Sequence, residues 1–251
     1  MLATVIFIVV LAVLVGWWLS RQGLAAKPWL EVGVPGDAHG DAHGDARGDA
    51  HGAEPSVRPV GLGLGTFLVV AGSLFSLLVS AYSVRQGMAD WQSLPMPTVL
   101  WFSTGLLILS SVSLQMAVIA ARRGEHDAIR SGLLAAGVAS LAFLGGQLLA
   151  WRELAASGRF TAADPATAFF YLLTALHGLH VLGGLVALCR TTLKAFVLSE
   201  PCTPQALGEL AQSVKLCAVY WHFLLLVWLV LFSLLMHWTD DLLAFCRGLL
   251  P

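Results

Sequence analysis

Charged side chains are scarce in this chain of 251 residues. Asp, Glu, Lys and Arg make up 12% of the sequence, whereas hydrophobic residues make up 57%. A soluble domain carries about 25% charged residues, so this composition excludes an ordinary soluble protein. The formal net charge of −1 provides no basic excess for binding phosphate backbones, and we therefore expect no nucleic-acid partner.

Six long runs of the sequence lack charge altogether, covering residues 1–20, 59–84, 91–121, 131–151, 165–189 and 216–239. At about 1.5 Å per residue in a helix, each run is long enough to cross the ~30 Å hydrocarbon core of a bilayer. The sequence therefore predicts an all-α fold, a polytopic membrane helical bundle with six transmembrane helices. Residues 59–238 are expected to form one membrane domain of five helices, with residues 1–20 as an additional N-terminal helix.

The uncharged runs lack carboxylates for proton transfer, and the cysteines lack the spacing of a metal-binding motif. None of the six runs contains Asp or Glu, whereas intramembrane carboxylates are typical of proton and ion pathways. The chain is therefore not expected to be a pump, a channel or a coupled transporter by itself, and a partner is expected instead. The four cysteines show no CxxC spacing, so neither a zinc site nor a disulfide framework is predicted.

The segment before the membrane domain has a simple composition. Residues 36–51 repeat Gly-Asp-Ala-His, with Arg47 in place of one His, and residues 21–58 are predicted to be a flexible linker. His39, His43 and His51 beside Asp could bind a divalent metal weakly, but a solvated spacer is the favoured interpretation. Residues 1–20 lack the basic start and the cleavage site of a signal peptide, which favours an uncleaved membrane anchor.

Two amphipathic segments are predicted near the C-terminus. Residues 205–214 are interpreted as a short surface helix, followed by a last span that begins at Lys215. Residues 239–251 are predicted to be an amphipathic tail that rests on the outer membrane surface.

The distribution of Lys and Arg predicts the orientation in the membrane, because these residues accumulate on the cytoplasmic side. If the N-terminus is outside, the outer segments hold Arg85, Arg152, Arg159 and Arg247, four of the 14 basic residues. The inner segments then hold the other ten, which are Arg21, Lys27, Arg47, Arg58, Arg122, Arg123, Arg130, Arg190, Lys194 and Lys215. Both termini are therefore predicted to lie outside, which is the periplasm in a bacterium.

Histidines are the conspicuous polar residues of the last two runs. A polar ring at membrane depth must face protein or a cavity rather than lipid. His177 and His222 could ligate a b-type haem, and His177 and His180, at i and i+3, could ligate a metal. The favoured interpretation is helix packing, with each ring hydrogen-bonded to a neighbouring hydroxyl or carbonyl group.

Small and polar residues in the runs predict where helices meet. Gly178, Gly183 and Gly184 lie beside the histidines and would let another helix approach closely. Thr104, Ser111 and Gln115 lie on one face of their helix and are predicted to bridge helices within the bundle.

Four segments carry recognisable motifs in a fixed order: LWFSTGLLILSSVSLQMAVIAARRG (100–124), GGQLLAWRELAASG (145–158), FFYLLTALHGLHVLGGLVAL (169–188) and YWHFLLLVWLVLF (220–232). Together they resemble subunit III of the haem-copper oxidases, the family of cytochrome c oxidases and quinol oxidases. The resemblance covers about residues 59–238, the five helices that the family shares.

The resemblance implies a subunit of an oxidoreductase complex, without catalytic residues or cofactors of its own. Haem and copper are then expected in the partner subunits, with subunits I and II as partners and phospholipid bound in a cleft between helices. Subunits of this kind support subunit I and its proton uptake in the bacterial inner membrane. The signature positions are implied to form the cleft or to contact lipid; they are His177, His180, Tyr220, Trp221 and His222.

Two departures from the family pattern keep other functions open. Gly72 and Leu225 stand where the family usually has a carboxylate, so a proton-related role of those acids does not transfer to this chain. The alternatives are a subunit III-like accessory protein of a nitric-oxide reductase and, from another class, a membrane cytochrome that binds b-type haem through His177 and His222.

Overall fold

The computed structural model describes residues 59–88, 91, 97–156, 165–197 and 203–236. Nearly all of these residues lie in five helices: α1 (Pro59–Gln86), α2 (Val99–Arg123), α3 (His126–Ala156), α4 (Pro165–Val197) and α5 (Pro204–Leu235). Each helix is long and apolar enough to cross a membrane. The all-α membrane fold and its five spans are therefore confirmed. The predicted helix over 1–20, the linker over 21–58 and the tail over 239–251 lie outside the described residues.

Four of these helices form a bundle against which the fifth lies. α2 packs against α3 and α5, while α4 packs against α3 and α5 from the other side, and α1 lies on α4 and α5. The pair formed by α2 and α3 has the most extensive contact, and its turn is made by Gly124, whose φ of 75° suits a residue without Cβ. This hairpin is tight because Gly132 faces α2 closely: a Cβ there would lie 3.0 Å from Cβ of Ala117.

The last two helices are longer than the uncharged runs predicted. α4 continues past Cys189 to Val197, and α5 begins at Pro204 and runs without a break, so the separate surface helix over 205–214 is wrong. Thr203 starts α5 by accepting a hydrogen bond from the backbone N–H of Ala206. Leu210 and Val214 are buried and extend the packed face of the helix. The end of an uncharged run therefore does not mark the end of the helix.

The start of α3 and the end of α4 meet at one end of the bundle. Arg130 near the start of α3 donates through Nε to the backbone carbonyl of Ala195 near the end of α4, at 3.0 Å, and its guanidinium lies 5.4 Å from the ring of Phe196. A cation is favourable beside the carbonyl groups at the end of a helix. This contact places the C-terminal end of α4 beside the loop that connects α2 and α3.

Candidate functional site

His177 lies at the centre of the bundle with none of its surface exposed. Three aromatic rings surround its imidazole, with centroid distances of 6.2 Å to Phe75, 5.7 Å to Phe143 and 5.1 Å to Trp228. Neither ring nitrogen has a hydrogen-bond partner among the described residues. The predicted packing role is confirmed for His177, but the predicted hydrogen bond is wrong, because rings from three helices occupy the positions around it.

A second buried polar side chain, Gln147, lies on the same part of the α3–α4 interface. Gln147 is 4% exposed, and none of the described residues hydrogen-bonds its amide group. It is one helical turn from Phe143, which contacts His177, and one turn from Trp151, whose indole N–H donates to Thr174 at 3.0 Å. The centre of the bundle therefore combines two buried polar groups with an aromatic enclosure.

His180 and Tyr220 lie together near α1. Nδ1 of His180 is 2.8 Å from the backbone carbonyl of Leu176, and the Tyr220 hydroxyl donates to the backbone carbonyl of His180, also at 2.8 Å. The ring of Phe67 lies 6.0 Å from both rings, and the ring of Phe75 lies 5.2 Å from that of His180. Phe67 is half-exposed, so this group forms a wall that begins at the surface and ends at the buried His177.

Trp221 is fully buried and ties α5 to α3 and α2. Its indole N–H donates to the hydroxyl of Ser140 at 2.9 Å, and that hydroxyl lies 2.8 Å from the hydroxyl of Ser110. Both serines also donate to the backbone carbonyl of Ala136. Since its polar atom is bonded and its ring is buried, Trp221 shapes the interior and presents no surface to a ligand.

Gly184 lets the aromatic pair on α5 approach α4. A Cβ at this position would lie 2.5 Å from Cε1 of Tyr220 and 2.9 Å from Cζ3 of Trp221. Among the glycines beside the histidines, Gly183 by contrast has no atom within 4 Å of such a Cβ. The predicted close approach is therefore confirmed at Gly184, which is the glycine that faces α5.

His222 lies in a different environment from the other signature residues. It is exposed on the outside of the bundle, where its Nδ1 lies 2.5 Å from Oγ of Ser111 and its Nε2 lies 3.2 Å from Oε1 of Gln115. The three side chains form a polar cluster across α2 and α5. Together with the 2.9 Å bond from the Trp228 indole to Thr104, these contacts confirm that Thr104, Ser111 and Gln115 bridge helices.

Among the described residues, His177 and His222 lie in different surroundings. His177 is enclosed by aromatic rings, whereas both nitrogens of His222 already contact α2 on the outer surface. The geometry therefore does not support a haem held between these two histidines. Within the described helices, no group of three or more His, Cys, Asp or Glu side chains could hold a metal ion.

Sequence reasoning did not identify several residues that build the site. Phe67, Phe75 and Phe143 read as ordinary apolar residues of membrane helices, and only the bundle shows that they surround the histidines. Ser140 and Gln147 had a detectable signal, because each is a polar residue inside an uncharged run. Such residues usually face the bundle interior.

Comparison with known proteins agrees with this arrangement. The family model described as cytochrome c oxidase subunit III matches residues 66–240. The probable cytochrome c oxidase subunit 3 of Mycobacterium tuberculosis is 33% identical over 189 residues, which cover 71% of this chain and 88% of that protein. The probable cytochrome c oxidase subunit 3 of Nocardia farcinica is 29% identical over 187 residues, with 70% of this chain and 87% of that protein covered.

A more distant relative extends the same similarity. The cytochrome c oxidase subunit 3 of Thermostichus vulcanus is 28% identical over 185 residues, with 69% of this chain and 85% of that protein covered. The matched region includes α2 to α5 and most of α1, and it contains all five signature positions. This chain belongs to the cytochrome c oxidase subunit III family.

Proposed function

We propose that this chain is the structural, non-catalytic subunit III of a respiratory terminal oxidase, the complex that reduces O2 to water. Its family membership supports a place in such an oxidoreductase complex and in the membrane. The non-catalytic role is supported by the positions of the acidic residues in the five described helices. Asp127, Glu153 and Glu209 lie near helix ends, and the apolar centres of these helices contain no Asp or Glu. The centres of the described helices therefore offer no carboxylate to carry protons across the membrane.

The redox cofactors are proposed to belong to the partner subunits I and II. Two contacts support this assignment: aromatic rings enclose His177, and the nitrogens of His222 are engaged by Ser111 and Gln115. The role left to this chain is to stabilise subunit I and to support its proton uptake. It would do so by packing and by excluding water from the neighbouring membrane space.

A phospholipid is proposed to lie against the wall formed by His180, Tyr220 and Phe67. Phe67 is 47% exposed, so an acyl chain can reach this wall from the bilayer. His177 and Trp221 lie behind it with no exposed surface, so they support the wall without contacting lipid. His222 is bonded to α2 and is assigned a different role below.

The protein is proposed to lie in the bacterial inner membrane with both termini in the periplasm. The bacterial source of the relatives supports the location. Basic residues support the orientation. Arg130 contacts the backbone of Ala195 at one end of the bundle. The same or adjoining helix ends carry further basic residues, which are Arg122, Arg123, Arg190 and Lys194. A cluster of basic residues is typical of the cytoplasmic side.

Affinity purification of the full chain from its native membrane tests the proposed function. We expect a large haem-copper subunit to co-purify, with haem absorbance and O2 consumption in the isolated complex. Recovery of the chain alone would contradict the proposal. Nitric-oxide consumption without O2 consumption would instead identify the nitric-oxide reductase accessory protein, and a Soret band in the isolated chain would identify a cytochrome.

A further inference from the structure

The polar cluster formed by Ser111, Gln115 and His222 lies on the outside of the bundle, beside the middle of α2. Ser111 is the midpoint of α2 (Val99–Arg123), and Gln115 lies one turn further along. Gln115 and His222 are both exposed. Polar side chains at the middle of a membrane-spanning helix rarely face lipid, because hydrocarbon cannot replace the hydrogen bonds of water.

The hydrogen bonds within the cluster leave one group without a partner. Oε1 of Gln115 can only accept, so Nε2 of His222 donates to it, and in the neutral ring Nδ1 then accepts from the Ser111 hydroxyl. The amide nitrogen of Gln115 still has two N–H donors, and the described residues supply no acceptor for them. The α2–α5 surface therefore presents a hydrogen-bond donor to whatever covers it.

The residues around the cluster are apolar, as in contacts between membrane helices. Ile108 on α2 is 42% exposed and Leu229 on α5 is 44% exposed. By comparison, the outward face of α4 carries Leu172, Leu179 and Val186, which are also exposed but apolar and suited to lipid tails. On the α2–α5 surface, by contrast, an exposed Gln side chain and an exposed His side chain contact each other beside the exposed apolar residues.

We propose that the α2–α5 surface around Gln115 and His222 is where this chain docks onto a transmembrane helix of another oxidase subunit. That helix supplies an acceptor, a backbone carbonyl or a hydroxyl group, to the amide of Gln115, while its apolar side chains pack against Ile108 and Leu229. A lipid tail has no acceptor to offer. Interhelical hydrogen bonds from Gln and His side chains are a common means of association in membranes. The inference rests on the proposed function, because it requires a partner subunit.

Site-specific photo-crosslinking in native membranes tests the docking surface. A photoreactive amino acid is introduced at Ile108 or at Leu229, with Leu179 on α4 as the control, in the full chain expressed with its complex. We expect adducts with another oxidase subunit from Ile108 and Leu229, and lipid adducts from Leu179. Lipid adducts alone from Ile108 and Leu229, a link to another part of the same chain or a link to a second copy would each overturn the proposal.

A substitution at Gln115 gives a second measurement. Gln115 is exposed, so Gln115→Leu removes the amide without opening a cavity. We expect roughly a three- to tenfold lower ratio of partner subunit to this chain after purification in mild detergent, the effect of losing one hydrogen bond between membrane helices. The control Met116→Leu changes the next residue, also exposed, and should leave the ratio unchanged. An unchanged ratio with Gln115→Leu would contradict the proposal.

The two experiments separate the docking surface from the proposed function. If the haem-copper subunit co-purifies but crosslinks only to Leu179 on α4, the docking surface is wrong and the proposed function stands. If no oxidase subunit is recovered with the unmodified chain, both are overturned.

Discussion

The contact between α4 and α5 depends on the absence of a side chain at Gly184, and alanine substitution measures that dependence. A Cβ on Gly184 would meet Cε1 of Tyr220 at 2.5 Å and Cη2 of Trp221 at 3.0 Å. Neither ring can move aside freely. The Tyr220 hydroxyl is bonded to the carbonyl of His180, and the Trp221 indole is bonded to Ser140. Overpacking of a filled interior costs about 1–3 kcal/mol.

The neighbouring Gly183 provides the matched control, because a Cβ there meets no atom within 4 Å. Replacing a helical glycine by alanine gains about 0.5–1 kcal/mol at either position, since alanine loses less backbone freedom on folding. This gain cancels when the two variants are compared. The difference in the free energy of unfolding between Gly183→Ala and Gly184→Ala is therefore expected to be about 1–3 kcal/mol, with Gly184→Ala the less stable.

Unfolding of the full chain in mixed detergent micelles, followed by tryptophan fluorescence, measures this difference. The nine tryptophans of the chain contribute together to this signal, and buried rings such as Trp221 and Trp228 become exposed on unfolding. Equal stability of the two variants would refute the close approach of α4 and α5. A Gly184→Leu variant that unfolds with the stability of the unmodified chain would refute the close approach more strongly, because leucine cannot fit where a Cβ already collides.

Further predictions test the interior with the same unfolding measurement. Thr104→Val leaves the indole N–H of Trp228 without an acceptor and should lower the free energy of unfolding by about 1–3 kcal/mol. In a double-mutant cycle, the same substitution should cost less in a chain that already carries Trp228→Phe. His177→Ala should cost about 3 kcal/mol or more by opening a cavity among aromatic rings. His177→Phe keeps a ring in the enclosure and should cost less than His177→Ala, so equal costs would contradict the ring enclosure. Gly146→Ala should be about 1 kcal/mol less stable than Gly145→Ala, because only the Cβ at Gly146 collides with another helix.

The membrane fold could be predicted because hydropathy depends only on composition along the chain. The run over 165–189 lacks charge and spans the bilayer, and the structure contains α4 there. The ends of the helices could not be predicted in this way. Arg190 and Lys194 interrupt the uncharged run, yet both are exposed on the continuing helix, where long basic side chains reach the headgroups without ending it.

The membrane depth of the histidines was predictable, but their surroundings were not. His177 and His180 are three positions apart in one uncharged run, so the sequence placed both inside the membrane. In the structure, rings from three helices enclose His177, while His180 contacts the backbone carbonyl of Leu176 in its own helix. A sequence does not specify which residues of one helix lie level with those of another, because that register depends on how side chains interlock across the contact.

The sequence by itself determined that this protein lies in a membrane, that its helices carry no acid at their centres, and that its motifs belong to subunit III of an oxidase. These properties are determined by residue type and order, which are local. Only the tertiary structure decided that His222 points outward with Gln115, whereas Trp221, its neighbour in the chain, is buried against Ser140. Adjacent residues on a helix project about 100° apart, and the packing of α2 and α4 around α5 selects which direction is interior.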